Sequence, residues 1–237
     1  MMSGKRWGYV VQFFCLLVFF GMSPFLIKMD GRKTMSVSSD SVRSQNVSDE
    51  VKPVVALTFD DGPNASSTPI LLDGLKERKV RATFFLIGEN VEKDENEKIV
   101  KRMYEEGHLI GNHTYTHCNL SKLETGEAKK ELEQTDTVIE KITGKQPVFV
   151  RAPYGELPVD SEQDLNRIYI GWTVDPLDWM TEDVSRITQS VLEKVEPGDI
   201  ILLHDSYLSS VQAALRIVDA LQGKGYEFIT VDQMISD

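Results

Sequence analysis

Five short segments of this chain carry side chains that can bind a metal ion or move a proton. They are Asp60-Asp61-Gly62, His113-Thr114-Tyr115-Thr116-His117, Arg151-Ala152-Pro153-Tyr154, Asp175 with Asp178-Trp179, and His204-Asp205. Two histidines separated by three residues can ligate one metal ion if their segment turns helically. Adjacent carboxylates at the end of a buried strand need partners, because an unpaired buried charge is costly.

Each segment taken alone also admits a structural role. The carboxylate pair could cap a turn before Gly62-Pro63, and Arg151 could form a structural salt bridge. The Asp178-Trp179 pair could belong to a capped and packed turn, and His204 could be a hydrogen-bonded core histidine. A single pair of histidines at this spacing is weak evidence for a metal site. The prediction of a functional site therefore depends on all five segments together.

Two further residues near these segments are expected to be structural. Cys118 directly follows His117 and could be a third soft ligand, but a small buried or half-exposed thiol is the favoured interpretation. His108, at the exit of a predicted helix, is expected to have a capping or surface role.

Hydrophobic patterning predicts strands that alternate with helices. Strands are predicted at 54–59, 82–87, 109–111, 148–150, 168–174, 200–203 and 226–230, with helices from Thr68 and at 97–106, 126–142, 183–195 and 209–222. This alternation indicates a mostly parallel sheet with helices outside it, and leaves open whether the sheet closes into a barrel. The carboxyl ends of parallel strands share one face, so the five segments are expected to meet in one mouth.

Composition excludes several classes of protein. The chain has 237 residues, with 26 basic against 37 acidic side chains and a formal net charge of −11. An acidic chain without a basic block is a poor nucleic-acid binder. Two cysteines are too few for a disulfide scaffold. No segment indicates an obligate protein partner.

The amino-terminal 52 residues are predicted to lie outside the folded domain. Residues 8–27 are apolar and long enough to cross a bilayer core of ~30 Å. No small-residue cleavage site follows them, so residues 1–30 are predicted to be an uncleaved signal anchor, with a cleaved signal peptide as the alternative. The flanking charges do not decide the orientation. Residues 31–52 are rich in serine and predict a flexible stalk, which leaves residues 53–237 as the folded domain.

The order of the five segments resembles the five motifs of the NodB-homology polysaccharide deacetylases, carbohydrate esterase family four. The resemblance covers about residues 54–235 and rests on the patterns Asp-Asp-Gly, H-[ST]-x-x-H, R-x-P-Y, D-x-x-D-W and L-x-H-D. It implies an α/β fold, a distorted and incomplete (β/α) barrel with about seven parallel strands. It also implies one divalent metal ion and hydrolysis of N-acetyl groups on amino sugars.

The resemblance assigns a role to each matching residue. Asp61, His113 and His117 are implied to bind the metal ion. Asp60 is implied to be the base that takes a proton from the attacking water, with Arg151 holding it ionised.

The remaining roles concern the leaving group and the acetyl group. His204 is implied to be the acid that protonates the leaving amine, oriented by Asp178, which raises its pKa. The backbone N–H of Tyr154 is implied to bind the oxyanion, and Trp179 with Leu202 to form an apolar slot for the acetyl methyl group.

Two points depart from the family or stay open. Residues 156–167 are short and polar where the family has a longer amphipathic helix, which puts the fourth helix and one wall of the groove in doubt. A ligand set of one carboxylate and two imidazoles suits zinc, and cobalt, nickel, manganese or iron also satisfy it.

These observations predict a metal-dependent polysaccharide N-deacetylase, tethered by a single pass to a bacterial cell membrane with its catalytic domain outside. Secretion after signal cleavage is the alternative. Peptidoglycan N-acetylglucosamine is the expected substrate, with chitin or chito-oligosaccharides as the alternative. A non-catalytic carbohydrate-binding barrel and a hydrolase of small cyclic amides or acetyl esters are competing hypotheses.

Overall fold

The structure is a computed structural model that describes residues 52–93, 95–158, 161 and 166–236. All the described residues belong to one compact unit, Asp49–Asp237. The predicted anchor at 8–27 and almost all of the predicted stalk therefore lie outside the described residues. Within the described ranges, no helix is both long and apolar enough to cross a membrane.

Among the described residues, seven parallel strands form a single sheet. The strands are β1 (Val54–Asp60), β2 (Thr83–Leu86), β3 (Leu109–Asn112), β4 (Phe149–Val150), β5 (Ile168–Tyr169), β6 (Ile200–His204) and β7 (Glu227–Ile229). Their order is β5-β4-β3-β2-β1-β6, and β7 pairs with the first half of β1. Each carboxyl end consequently faces the same side, as the alternation of strands and helices predicts.

One segment joins the two edges of the sheet and curls it. Ile168 and Tyr169 pair with β4, and five residues later Val174 forms a parallel bridge to Ile201 of β6. The predicted strand at 168–174 is therefore split between the two edges. The sheet is a curled half-barrel. The sequence pattern had left open whether the sheet closes into a barrel.

Helices cover the outer surface of this sheet. They are α1 (Thr68–Glu77), α2 (Gly88–Val91), α3 (Asn96–Glu105), α4 (Thr125–Thr143), α5 (Val184–Leu192), α6 (Leu208–Gly223) and α7 (Val231–Met234). The side chain of Asp183 caps α5 by accepting from the N–H groups of Ser185 and Arg186. Gly144 ends α4 at a φ of 72°, in the left-handed region that glycine adopts easily.

The alternation of side chains along β1 separates the core from the mouth. Val55, Leu57 and Phe59 belong to the main apolar cluster, which α1, α3, α5 and α6 also line. Ala56 belongs to a second cluster with Phe85, and Asp60 shares its side of β1 because side chains alternate along a strand. The strand thus buries its odd-numbered residues under helices and directs its last even-numbered residue into the sheet's interior.

The predicted elements agree with the structure apart from their ends, the split of 168–174 and two short helices. The helices α2 and α7 were not predicted. Helix α1 begins at Thr68, as predicted, with Ser67 as its N-cap. In the segment whose helix was in doubt, residues 156–158, 161 and 166–167 are described, and none of them is in an α-helix.

His108 is not at the surface. It is 6% exposed, its Nδ1 accepts the N–H of Ala82 at 3.1 Å, and its ring lies edge-on to Phe84. Burial lowers its pKa to about 4, so this imidazole is neutral. The expectation of a surface or capping role was wrong, because the ring packs against Phe84 of β2 and binds the backbone N–H of Ala82.

Candidate active site

A buried ion pair closes one side of the mouth. Asp60 ends β1, and its Oδ1 accepts a hydrogen bond from Nη1 of Arg151 at 2.8 Å. The two residues are 3% and 1% exposed. The same Nη1 donates to Oγ1 of Thr58 at 2.7 Å, two residues earlier on the same face of β1. This pairing meets the requirement that a buried carboxylate have a hydrogen-bonded partner.

The guanidinium of Arg151 is fixed on its other edges as well. Nη2 donates to the carbonyl of Gly171 at 2.8 Å and Nε to that of Ile170 at 3.3 Å. Its Cζ lies 4.3 Å from the ring centroid of Phe85. Burial lowers the pKa of Arg151 and Asp60 offsets part of that effect, and a guanidinium stays protonated under these conditions. Arg151 therefore presents a fixed positive charge to Asp60.

Asp61, His113 and His117 form a second cluster beside this pair. Oδ1 of Asp61 lies 3.4 Å from Nε2 of His113 and 3.3 Å from Nε2 of His117. One ligand atom from each residue lies within 4.8 Å of the other two. Asp61 has a φ of 71°, so its carboxylate leaves the chain in a different direction from that of Asp60. The three side chains that the sequence analysis proposed as metal ligands are thus together.

The donor set fits a divalent metal ion. Oδ1 of Asp61 is buried and has no hydrogen-bond partner among the described residues, although two imidazole nitrogens lie nearby. Burial opposes ionisation of Asp61, but His113 and the other histidines outweigh it and keep its pKa below the usual value. Burial lowers the pKa of His117, which favours the neutral imidazole that binds metals. One carboxylate and two imidazoles leave coordination positions open, as in catalytic sites.

Hydrogen bonds to the far side of each ring hold the two histidines. Nδ1 of His113 lies 2.6 Å from the carbonyl oxygen of Arg151, which can only accept, so Nδ1 carries the hydrogen and Nε2 faces Asp61. Nδ1 of His117 lies 3.3 Å from Oη of Tyr154, and the two rings meet edge to face at 4.9 Å. Both rings therefore present Nε2 to the same point.

His204 and Asp178 form a third group. Nδ1 of His204 donates to Oδ1 of Asp178 at 2.8 Å, and the backbone N–H of His204 donates to Oδ2 at 2.8 Å. Although burial by itself lowers the pKa of His204, the Asp178 carboxylate more than offsets this and raises it to about 9. Nε2 of His204 lies 4.0 Å from Oδ2 of Asp61. The ring thus carries a proton and points it at the cluster.

The residues proposed for substrate contact are less uniformly placed. We use the term rim for Tyr154, Leu177, Trp179 and Met180, which lie in loops at the carboxyl ends of strands and are 65%, 45%, 53% and 64% exposed. Leu202 is instead buried within β6 at 4% exposure. The proposed acetyl slot of Trp179 and Leu202 stays a prediction, as does the oxyanion role of the Tyr154 N–H.

Unusual backbone conformations concentrate at this site. Among the described residues, six other than glycine have positive φ, and five of them lie in the mouth loops: Asp61, Thr114, His117, Tyr154 and Leu177. Such conformations cost of order 1–3 kcal/mol each and persist where the surroundings enforce them. Two of the five are proposed metal ligands, so strain and chemistry occur at the same positions.

Sequence reasoning missed two residues that hold this site. Glu131 of α4 accepts the N–H groups of Tyr115 and Thr116 at 3.0 and 2.8 Å, which fixes the loop between the two histidines. Thr58 fixes the Arg151 guanidinium. A signal existed for Thr58, which is a polar residue in a buried strand, but Glu131 lies on a helix face with many charged neighbours and had none.

Cys118 does not join the metal cluster. The group of possible ligands found among the described residues contains only Asp61, His113 and His117. The thiol is partly buried beside the small apolar cluster that includes Leu120 and Leu132, and burial raises its pKa. This placement agrees with the structural interpretation of Cys118.

Comparison with known proteins identifies the family. A family model described as polysaccharide deacetylase matches residues 48–170. The chain belongs to the polysaccharide deacetylase family. The resemblance inferred from the five motifs is therefore confirmed, and with it membership of a family of hydrolases.

Three relatives illustrate the similarity. A peptidoglycan-N-acetylglucosamine deacetylase of Bacillus cereus is 42% identical over 190 residues, covering 77% of this chain and 68% of that protein. The structure of peptidoglycan deacetylase PdaC from Bacillus subtilis matches with a TM-score of 0.75 and 38% identity, over 78% of this chain and 91% of that one. A family 4 acetyl xylan esterase from Clostridium thermocellum, solved with a cobalt ion, matches with a TM-score of 0.72 and 32% identity, over 77% and 90%.

The full-length PdaC protein is longer than the chain whose structure is solved. It is named a peptidoglycan-N-acetylmuramic acid deacetylase, and this chain spans 41% of its length. The similarity to the two solved structures covers 77–78% of this chain.

Proposed function

We propose that this protein is a metal-dependent hydrolase that removes N-acetyl groups from amino sugars of a cell-envelope polysaccharide, namely N-acetylglucosamine in peptidoglycan. One observation carries the proposal. The Asp61, His113 and His117 cluster lies between the Asp60 carboxylate, which is held by Arg151, and the His204 imidazole, whose pKa Asp178 raises to about 9. Hydrolysis of an amide requires a base for water and an acid for a poor leaving group, and this site offers both.

Asp61, His113 and His117 would hold the metal ion, and zinc is the metal that we propose. Bound there, zinc would act as a Lewis acid toward the acetyl carbonyl. Cobalt, nickel, manganese or iron would satisfy the same donor set, and the cobalt ion solved with the xylan esterase relative supports cobalt as one of the alternatives.

The protein's own groups account for the proton transfers. Asp60, held in place by its hydrogen bond from the Arg151 guanidinium, accepts the proton of the attacking water. The backbone N–H of Tyr154 stabilises the developing oxyanion. His204 then delivers the proton from Nε2 to the sugar nitrogen, and the C–N bond breaks to give acetate and a free amine. Asp178 orients His204 and raises the pKa of its ring, so the ring stays protonated until it is needed.

A non-catalytic carbohydrate-binding barrel explains this arrangement poorly. Binding a sugar requires neither a buried Asp60–Arg151 pair nor a histidine whose pKa is raised to about 9. Buried charges are costly to maintain, and a chain without catalytic use for them would be more stable with apolar residues of similar volume.

Two sugars of peptidoglycan are candidate substrates. The Bacillus cereus relative supports N-acetylglucosamine, whereas the name of the PdaC relative supports N-acetylmuramic acid as the second candidate. Chitin and chito-oligosaccharides are the alternative outside peptidoglycan. All three offer the same acetamide to the site, so the difference lies in contacts at the rim.

Acetate release tests the proposal. Protein freed of metal and then given zinc should release acetate from peptidoglycan and should do so less from chito-oligomers and acetylated xylan. Mass spectrometry of the digested peptidoglycan then shows which sugar carries the free amine. Failure of the zinc-loaded protein to release acetate from any of these polymers contradicts the proposed function and favours a binding module or a small-amide hydrolase.

We also propose that residues 8–27 anchor the protein in the cytoplasmic membrane of a bacterium, with the catalytic domain outside. Their length and the lack of a cleavage site support this. Alkaline carbonate should then fail to extract the protein, and a truncated chain beginning at Lys52 should be soluble and active. A mature N-terminus after Ile27, found by mass spectrometry, contradicts the anchor and supports secretion.

A further inference from the structure

Asp205 is a fully buried carboxyl group that none of the roles above uses. It follows His204 at the end of β6 and is 0% exposed. Its Oδ2 accepts a hydrogen bond from Oγ1 of Thr68 at 2.6 Å. Its Oδ1 is buried and has no hydrogen-bond partner in the described part of the chain. A carboxyl group with one partner is an expensive residue to bury, so its contacts need an explanation.

The carboxyl group of Asp205 lies against the turn that carries Asp61. A Cβ added at Gly62 would lie 2.5 Å from both Oδ1 and Oδ2 of Asp205, closer than real atoms approach. Gly62 is not among the glycines with positive φ, so its backbone conformation does not require glycine. The close approach of Asp205 therefore explains the glycine of the Asp-Asp-Gly segment.

Two more hydrogen bonds tie the same turn to Asp205. Oγ1 of Thr68, which donates to the Asp205 carboxyl group, also accepts the backbone N–H of Asn64 at 2.8 Å. Oγ of Ser67 donates to the backbone carbonyl of Asp205 at 2.5 Å. The loop from Asp61 to α1 is thus fastened at both of its ends to the residue that follows His204.

The energetics of Asp205 favour a functional explanation. Burial raises its pKa to about 7, which shows that the site disfavours a charged carboxylate. An apolar residue would cost less to bury, and strained or costly groups are retained where the surrounding structure uses them. The use that the contacts indicate is mechanical, since every partner of Asp205 belongs to the turn or to the start of α1.

We propose that Asp205 is a positioning residue, which fixes the turn of Asp61 against the end of β6 and so sets the distance between the metal ligand Asp61 and the proton donor His204. That distance is 4.0 Å between Oδ2 and Nε2. The roles of Asp61 as metal ligand and His204 as proton donor rest on the proposed function. The placement of Asp61 can nevertheless be measured without any substrate.

Cobalt titration of the metal-free protein measures this placement directly. Asp205→Ala should weaken cobalt binding roughly 10–100-fold, the range typical of residues that support metal ligands, and should alter the visible spectrum of the bound ion. The kcat for acetate release should fall by a similar factor while KM stays within about twofold, because the substrate contacts at the rim are unchanged.

A second pair of variants covers the case in which Asp205→Ala fails to fold. Thr68→Val removes the hydroxyl that joins Asp205 to Asn64 and should weaken cobalt binding, whereas Thr68→Ser keeps the hydroxyl and should bind like the wild type. Thr188→Val is the matched control, because Oγ1 of Thr188 bonds only within α5, to the carbonyl of Val184. Thermal unfolding of each variant separates lost stability from a displaced ligand.

Coupling between Gly62 and Asp205 provides the sharpest test. Gly62→Ala alone should weaken cobalt binding more than roughly tenfold, since its methyl group collides with Asp205. In the Asp205→Ala background the same substitution should change binding by less than about twofold, because the obstacle is gone. If the losses of cobalt affinity caused by Gly62→Ala and Asp205→Ala simply add in the double variant, the two residues act independently and the proposal is overturned.

The proposal also fails if Asp205→Ala folds and its cobalt affinity and spectrum match those of the wild type. If Asp205→Ala does not fold, the proposal fails when the cobalt affinity and spectrum of Thr68→Val match those of the wild type. These outcomes are distinct from failure of the proposed function. A wild-type protein that binds cobalt but releases no acetate contradicts the deacetylase activity, while the cobalt affinities of the variants still decide the role of Asp205.

Discussion

The floor of the mouth and its rim are built in opposite ways. The floor consists of Asp60, Arg151, His113 and Asp178, none of which is more than 3% exposed, and each is held by hydrogen bonds or close ion pairs within the protein. The four rim residues are 45–65% exposed. The floor residues are held in place within the protein itself, whereas the rim residues expose side chains that a substrate can contact.

This difference separates two tasks of a hydrolase. Groups that stabilise charge in a transition state work best when they are fixed in advance, because no reorganisation is needed during the reaction. Exposed apolar and aromatic side chains instead supply binding surface, which different sugars can use to different extents. Changes in the floor should therefore lower kcat, and changes in the rim should act on KM.

The largest effects are expected at the twin carboxylates. Asp60→Asn leaves Asp61, His113 and His117 in place, so bound metal should stay near one per chain while activity falls ~10²–10⁴-fold. Asp61→Asn weakens an anionic ligand, so bound metal should fall, and excess metal should partly restore activity. Metal analysis beside acetate release on both variants measures this.

The two variants serve as each other's control. Added metal should recover nothing in Asp60→Asn, since the missing group is a base. If Asp60→Asn loses its metal while Asp61→Asn keeps it, the two roles are reversed.

His204→Ser tests the acid on the other side of the cluster. The variant should keep its metal but lose kcat by ~10²–10⁴-fold, and the bell-shaped dependence of activity on pH should disappear. Acetate release measured across pH shows both effects. A loss of less than tenfold would mean that His204 is only packed at the end of β6.

Asp178→Asn should move the pH profile without abolishing activity. His204 acts as an acid only while protonated, so activity falls as pH rises through its pKa, which Asp178 raises to about 9. Without that carboxylate, burial lowers the pKa, so the basic limb of kcat/KM should shift to lower pH. The acidic limb should stay in place, and an unchanged basic limb would contradict the pairing. Metal content should match the wild type, because Asp178 does not touch the cluster.

The same contrast explains what could be predicted from the sequence. The floor residues are recognisable because each has a fixed chemical task and follows a strand end, so type and spacing together point to them. The curled sheet was less accessible, because the segment 168–174 pairs with two different strands, and no local pattern encodes a partner far along the chain. Glu131 and the buried His108 show the same limit, since their roles depend on packing.

The sequence offers the least evidence about the rim, for a physical reason. Its residues make few contacts within the protein, so neither periodicity nor burial constrains their type. The pairing of Trp179 with Leu202 as an acetyl slot came from resemblance alone, and in the structure one side chain is exposed and the other buried.

Trp179→Ala should produce the smallest effect and the clearest separation of rim from floor. Trp179 lies in the 3-10 turn Asp178–Met180, directly after the carboxylate that holds His204, yet its side chain is half exposed. Loss of the indole should raise KM roughly tenfold, in the range of ~1–3 kcal/mol for one apolar contact, with kcat and metal content close to those of the wild type. Val148→Ala is the control, because Val148 is an exposed apolar residue just before β4, at the amino ends of the strands. Its KM should not change. If Trp179→Ala instead lowers kcat and shifts the basic limb of the pH profile, the turn supports Asp178 and Trp179 belongs functionally to the floor.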